Sequence, residues 1–154
     1  MEYLLIKWIH IISSTLLFGT GLGSAFYKYL ADRSRQVSHI AIVNRHVVFA
    51  DWLFTTPTII IQPLTGLLLV YMAGYSLTSL WLLLSLLLYF IAGLCWLPVV
   101  VLQIRMRDLA EQAVEKNTAL PEQYYRYARQ WFYLGVPAFL AMIGIFFLMV
   151  FKTI

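Results

Sequence analysis

Three histidines are the side chains in this sequence with the widest range of possible chemistry. His39 lies in a polar segment and His46 begins an apolar stretch, so we interpret them as solvated and interfacial, respectively. His10 differs from both because it lies on the order of 10 Å inside the first apolar stretch, at 1.5 Å of helical rise per residue. An imidazole at that depth can ligate haem iron, relay protons or hydrogen-bond a neighbouring helix. The sequence leaves these three roles open.

A second set of polar side chains forms a stripe along a later apolar stretch. Its members recur at intervals of three or four residues, which places them on one face of a helix: Asp51, Thr55, Thr58, Gln62 and Thr65. Polar groups inside a membrane are costly unless they face the bundle interior or a partner, so we expect the stripe to point inward. Asp51 could form an interfacial ion pair with Lys28 or an arginine. Alternatively, it could mark the mouth of a proton or anion path along the Asp51–Gln62 stripe.

The composition places these side chains in a membrane protein. Of the 154 residues, 62% are hydrophobic and 12% are charged, and the mean hydropathy is +0.80. A soluble domain carries roughly a quarter charged residues, so a soluble enzyme is excluded. The 11 Lys and Arg residues lie mainly in two connecting segments and do not form a patch, which argues against nucleic-acid binding. The single cysteine, Cys95, excludes a disulfide framework and a cysteine-based zinc site.

Four apolar segments are long enough to cross a bilayer, which needs about 20 residues per helix. We place them at 3–29, 47–72, 80–103 and 131–151, and we expect residues 1–154 to form one all-α membrane domain, an up-down antiparallel four-helix bundle. Basic residues concentrate in or beside the connections 30–46 and 104–130, whereas Lys7 and Lys152 are the exceptions. The positive-inside rule therefore predicts cytoplasmic connections and external termini. In the second connection, Leu109 and Ala113 continue the third helix, and Pro121 suits the start of the fourth.

Matching depths along antiparallel helices predicts which residues surround His10. Its level corresponds to Thr65 and Gly66 on the second helix, to Ser85 through Tyr89 on the third, and to about Gly144 on the fourth. Two glycines beside a histidine leave room for a flat ligand such as a porphyrin, or they allow close helix packing. His46 lies roughly 25 Å away in depth, so it cannot share one haem with His10.

The first helix also carries a family resemblance. The run Lys7-Trp-Ile-His10-Ile-Ile, followed by Phe18-Gly-Thr-Gly-Leu-Gly, resembles the first helix of the bacterial membrane-bound protoporphyrinogen oxidases called HemJ. It is more distantly similar to the membrane domain of copper-resistance protein D. Over most of its length, with Trp81 opening the third helix, the chain resembles an uncharacterised bacterial family of predicted integral membrane proteins, domain of unknown function 2269.

The resemblance to HemJ implies haem b binding through His10. The third helix differs from that of HemJ, because the positions of the HemJ lysine and histidine correspond to Ser85 and to about Trp96 in this sequence. Their absence argues against protoporphyrinogen oxidation by the same chemistry.

Three functions follow as hypotheses for a small, multi-pass protein of the bacterial inner membrane. The first is binding of haem b or another flat redox cofactor, with His10 as the metal ligand and a pocket lined by Thr65, Gly66, Tyr89 and Gly144; any enzyme activity would then be oxidoreductase-like. The second is a non-enzymatic scaffold or accessory subunit, as a homodimer or within a membrane complex. The third is proton or anion transport along the Asp51–Gln62 stripe.

Overall fold

Four long helices make up the chain in the computed structural model, which describes residues 1–152. They are α1 (Glu2–Ser34), α2 (Val37–Met72), α3 (Leu80–Glu115) and α4 (Glu122–Phe151), and each is long and apolar enough to cross a membrane. Residues 1–152 contain no β-strand. The predicted all-α fold with four membrane spans is confirmed.

The helices continue well beyond the apolar segments that identified them. Only Arg35 and Gln36 separate α1 from α2, so most of the connection 30–46 is helical. The left-handed conformation of Arg35, with φ of 57°, ends α1 and turns the chain. In the connection 104–130, α3 runs to Glu115 and Pro121 is the N-cap of α4, in agreement with the helical pattern predicted there. The polar connections can be helical because their charged side chains stay exposed on one face of the helix while the apolar side chains pack on the other.

A π-helical turn interrupts α2 at Asp51–Thr55. The backbone N–H of Thr56 donates to the carbonyl of Asp51, five residues earlier. Pro57 follows directly and has no N–H to donate, so the regular α-helical hydrogen-bond pattern cannot continue through this point. The turn divides α2 into a first part, Val37–Ala50, and a second part, Thr56–Met72.

The two parts of α2 have different neighbours. The first part packs against α3 and α1, whereas the second part packs mainly against α1, and α3 packs along α4. The bundle is therefore tight at the end that holds residues 28–44 and 102–131, which we call the connection end. At the other end, which holds residues 1–14, 62–86 and 142–152 and which we call the terminal end, the α1–α2 pair separates from the α3–α4 pair.

Small residues allow the close packing at the connection end. Ala31 and Ala110 have no exposed surface, and they pack in one cluster with Ile40, Met106 and Tyr124. The outward faces of the helices carry large exposed apolar side chains, such as Leu87, Phe90 and Leu94. Such faces suit contact with lipid chains, which agrees with the predicted bilayer environment.

Candidate functional site

A cavity of about 520 Å³ opens between the two helix pairs at the terminal end. Its volume falls within the range of roughly 300–1,000 Å³ that is typical of small-molecule and cofactor sites. All four helices contribute to its wall. The lining residues include Lys7, His10, Gln62, Gly66, Tyr75, Trp81, Ser85, Tyr89, Met142 and Lys152.

His10 is held in this wall by a hydrogen bond between its Nδ1 atom and the Thr65 Oγ1 atom, at 2.8 Å. The Thr65 hydroxyl has one proton, and it donates that proton to the backbone carbonyl of Ile61 at 2.7 Å. With its proton donated to Ile61, the Thr65 oxygen is an acceptor for His10, an arrangement that favours the tautomer with the imidazole proton on Nδ1. In a neutral imidazole this leaves Nε2 with an unprotonated lone pair.

Two further contacts position the imidazole. A Cβ atom built on Gly66 would lie 3.2 Å from His10 Cε1, so only a residue without a side chain leaves the ring undisturbed there. The side-chain amide of Gln62 donates to the backbone carbonyl of His10 at 2.8 Å. Thr65, Gly66 and Gln62 all lie on α2, so this helix determines both the depth and the orientation of His10.

The Nε2 atom of His10 has no hydrogen-bond partner within residues 1–152. Over the same range, no three His, Cys, Asp or Glu side chains come together as a group that could hold a metal ion. His10 thus contributes a single imidazole to the wall of an otherwise largely apolar cavity. A metal bound to it would take its remaining ligands from a cofactor or from groups outside these residues.

The structure brings together some of the predicted pocket residues and separates others. Gly66 and Tyr89 line the cavity with His10, and the Tyr89 hydroxyl donates to the Ile59 carbonyl. Thr65 lies behind the imidazole and supports it without forming part of the cavity wall.

Gly144 also lies outside the cavity wall. A Cβ atom there would lie 3.0 Å from Leu88 Cδ1, so this glycine serves the packing of α4 against α3. Depth matching placed Gly144 in the pocket, but it does not specify how α4 is rotated about its axis.

The polar stripe of α2 faces the interior, as its spacing predicted. The relative exposures of Asp51, Thr55, Thr58 and Gln62 are 9%, 5%, 3% and 8%. However, the Thr58 hydroxyl donates to backbone carbonyls of its own helix, and Thr55 Oγ1 has no hydrogen-bond partner in the described chain. Side-chain hydrogen bonds therefore do not run without a break from Asp51 to Gln62.

Asp51 is not paired with Lys28, contrary to one of the pairings considered from the sequence. Its carboxylate instead lies 3.5 Å from Trp96 Nε1. Lys28 instead donates to Asp32 at 2.7 Å and to the Tyr124 hydroxyl at 3.0 Å. The reason is helical spacing, since Asp32 lies one turn after Lys28 on the same face of α1.

Tyr124 is the centre of a buried polar network at the connection end. Its hydroxyl accepts hydrogen bonds from Lys28 and from Asn44 (2.8 Å), and it donates to Asp32. Lys28 Nζ also lies 5.6 Å from the centroid of the Trp131 ring. This network joins α1, α2 and α4. Only the spacing of Lys28 and Asp32 was visible in the sequence, whereas Asn44 and Tyr124 carry no comparable signal.

A comparison with known protein families matches nearly the whole chain. The family described as "Predicted integral membrane protein (DUF2269)" matches residues 4–153, so the chain belongs to this family. The four apolar helices make it a multi-pass membrane protein. No curated protein and no solved structure matches the chain.

Proposed function

We propose that this member of the family of predicted integral membrane proteins binds haem b, or another flat redox cofactor with a central metal, in the cavity at its terminal end. His10 Nε2 would hold its metal. The observation that supports this proposal is the contact of His10 Nδ1 with Thr65 Oγ1 at 2.8 Å, which leaves Nε2 as the unpartnered nitrogen of a side chain in the cavity wall.

The donor set fits a metal that is already enclosed by a macrocycle. A structural zinc ion needs about four protein ligands, and the cavity offers one imidazole. Haem iron takes four nitrogen ligands from the porphyrin, so one axial histidine is sufficient. A cavity of about 520 Å³ with a mainly apolar wall also suits a flat, apolar cofactor.

The residues of this chain would bind, orient and desolvate the cofactor. Thr65 fixes the ring orientation and the tautomer of His10, which is the usual role of a hydrogen-bonding group behind a metal ligand. Gly66 leaves space beside the imidazole, and apolar side chains such as Met142 keep water away from the site. When bound, haem b would supply one-electron redox chemistry.

The oxidase reaction of HemJ-type enzymes is not part of this proposal, because Ser85 and Trp96 stand where the lysine and histidine of that family are expected. We also propose that the protein lies in a bacterial inner membrane, and the positive-inside rule supports an orientation with its termini outside. The cavity would then lie toward the outer leaflet.

Visible absorption of the protein purified from haem-replete cells tests the proposal. We expect a Soret band in the wild-type protein and its loss in His10→Ala. His46→Ala is the matched control, since His46 is exposed at the connection end, and it should keep the band. Gel filtration of each variant shows whether it is folded. A colourless wild-type protein, or a band that survives in a folded His10→Ala variant, would overturn the proposal.

A scaffold role is the second candidate, and the buried network around Tyr124 favours it. A network that joins three helices through hydrogen bonds gives a membrane subunit a defined shape without any cofactor. A colourless protein that copurifies stoichiometrically with one membrane partner would support this role. A monomer without a partner would count against it.

A further inference from the structure

We propose that Lys7 and Lys152 form an anion-binding mouth of the cavity, and that the ligand is therefore an apolar body that carries carboxylate groups. The carboxylates would face the terminal end while the apolar body lies deeper, beside His10. This inference rests on the cavity of the proposed function and specifies the chemical class of its ligand.

Within residues 1–152, the charged side chains in the cavity wall are all of one sign. Lys7 from α1 and Lys152 from the end of α4 both line the cavity, and no Asp or Glu of that range is among the lining residues. The Lys152 Nζ atom lies 5.0 Å from the centroid of the Tyr75 ring and 5.5 Å from that of Trp81. These two rings also line the cavity, so they hold the ammonium group at the cavity wall.

Neither lysine has a carboxylate partner within residues 1–152. The ion pairs in that range are Lys28–Asp32, Arg45–Glu111 and Arg107–Asp108. No carboxylate of that range competes with an external anion for these two ammonium groups, and charge-assisted hydrogen bonds to a carboxylate are stronger than neutral ones.

The distribution of basic residues in the sequence makes this placement specific. Of the 11 Lys and Arg residues, all except Lys7 and Lys152 lie toward the connection end. The positive-inside rule accounts for the basic residues at the connection end, but it does not account for two lysines at the other end. These two come from opposite ends of the chain, and both converge on the one cavity that contains His10.

Haem b matches this arrangement, since its apolar macrocycle carries two propionate groups on one edge. Lys7 precedes His10 by about one helical turn, roughly 4.5 Å of rise toward the terminal end. A carboxylate can thus reach the mouth while the body of the same molecule lies beside the imidazole. A fatty acid shares the carboxylate and the apolar body but does not need an imidazole ligand.

The decisive experiment compares haemin with haemin dimethyl ester, which has the same iron and macrocycle but no free carboxylates. Both are titrated into the detergent-purified apoprotein, with the Soret band as the readout. We expect the wild-type protein to bind haemin about tenfold more tightly than the ester. The double variant Lys7→Gln/Lys152→Gln should lose this preference through weaker haemin binding, with unchanged affinity for the ester.

The control variant is Lys116→Gln, which changes an exposed lysine at the far end of the bundle and should keep the preference. Equal affinities for the two compounds in the wild-type protein would overturn the inference. So would a preference that persists in the double variant.

A second probe separates this inference from the proposed function. If neither iron compound binds through His10, the proposed function fails, and a fluorescent fatty acid and its methyl ester are then titrated instead. If the acid binds more tightly than the ester, and if this preference requires Lys7 and Lys152, the anion-binding mouth is supported even though the ligand is not haem. Binding of neither, or binding that is insensitive to both lysines, would overturn it.

Discussion

His10 Nδ1 lies 2.8 Å from Thr65 Oγ1, and this contact joins α1 to α2 at the wall of the cavity. The contact has two consequences. It stabilises the pairing of the first turns of α1 with the last turns of α2, and it leaves the second imidazole nitrogen free. The same hydrogen bond therefore links the packing of the helices to the chemistry that the site can perform.

Thr65→Val should weaken cofactor binding, because valine has nearly the same shape but cannot accept the hydrogen bond from His10. Loss of such a supporting group behind a metal ligand typically costs about 10–100-fold in affinity. Haemin titration of the apoprotein measures the effect. Thr15→Val is the matched control, since the exposed Thr15 hydroxyl donates only to the Ile11 carbonyl of its own helix. Equal affinities in the two variants would show that Thr65 does not position the ligand.

Gly66→Ala should also lower haemin affinity, because the new methyl group would lie 3.2 Å from His10 Cε1 and displace the ring. Gly93→Ala provides the comparison, since nothing lies within 4 Å of a Cβ atom at Gly93. For Gly93→Ala we expect unchanged haemin affinity and a small gain in stability, since alanine inside a helix is more stable than glycine by roughly 0.5–1 kcal/mol. A Gly66→Ala protein with wild-type affinity and spectrum would contradict the assigned role of Gly66.

Tyr124→Phe should destabilise the connection end without affecting the cavity. The variant removes the hydroxyl that accepts from Lys28 and Asn44 and donates to Asp32. A buried polar group that loses its partner costs about 1–3 kcal/mol, and Lys28 is only 1% exposed. Thermal unfolding in detergent is the measurement, and Tyr125→Phe, at an exposed tyrosine, is the control. The network would be energetically unimportant if both variants melted at the wild-type temperature.

Asp51→Asn should not change proton flux in proteoliposomes, and we expect the wild-type protein to show no flux above empty vesicles. The hydroxyls of Thr58 and Thr65 donate to carbonyls of their own helix, so the stripe does not form a continuous chain of side-chain donors and acceptors. Flux that is present in the wild-type protein and lost in Asp51→Asn would establish the transport hypothesis instead.

Hydropathy and helical spacing were sufficient to predict the four spans and the inward face of α2. Both follow from local physics, because a bilayer requires about 20 apolar residues per helix and side chains three or four positions apart share a face. The same spacing brought His10 to the level of Thr65 and Gly66, and the structure places these three residues in contact. Depth along a helix can be counted from a sequence, since the rise per residue is constant.

Rotation and close contact between helices depend on the tertiary structure. Depth alone assigned Gly144 to the pocket, whereas the rotation of α4 turns it toward Leu88. Lys28 pairs with Asp32 and Tyr124 and not with Asp51, and Lys7 and Lys152 line the same cavity. Hydrogen bonds and ion pairs form only within a few ångströms, and the sequence of one helix does not specify its distance from another. The periodicity of each helix therefore determined which residues face inward, and the packing of the four helices decided which of them meet.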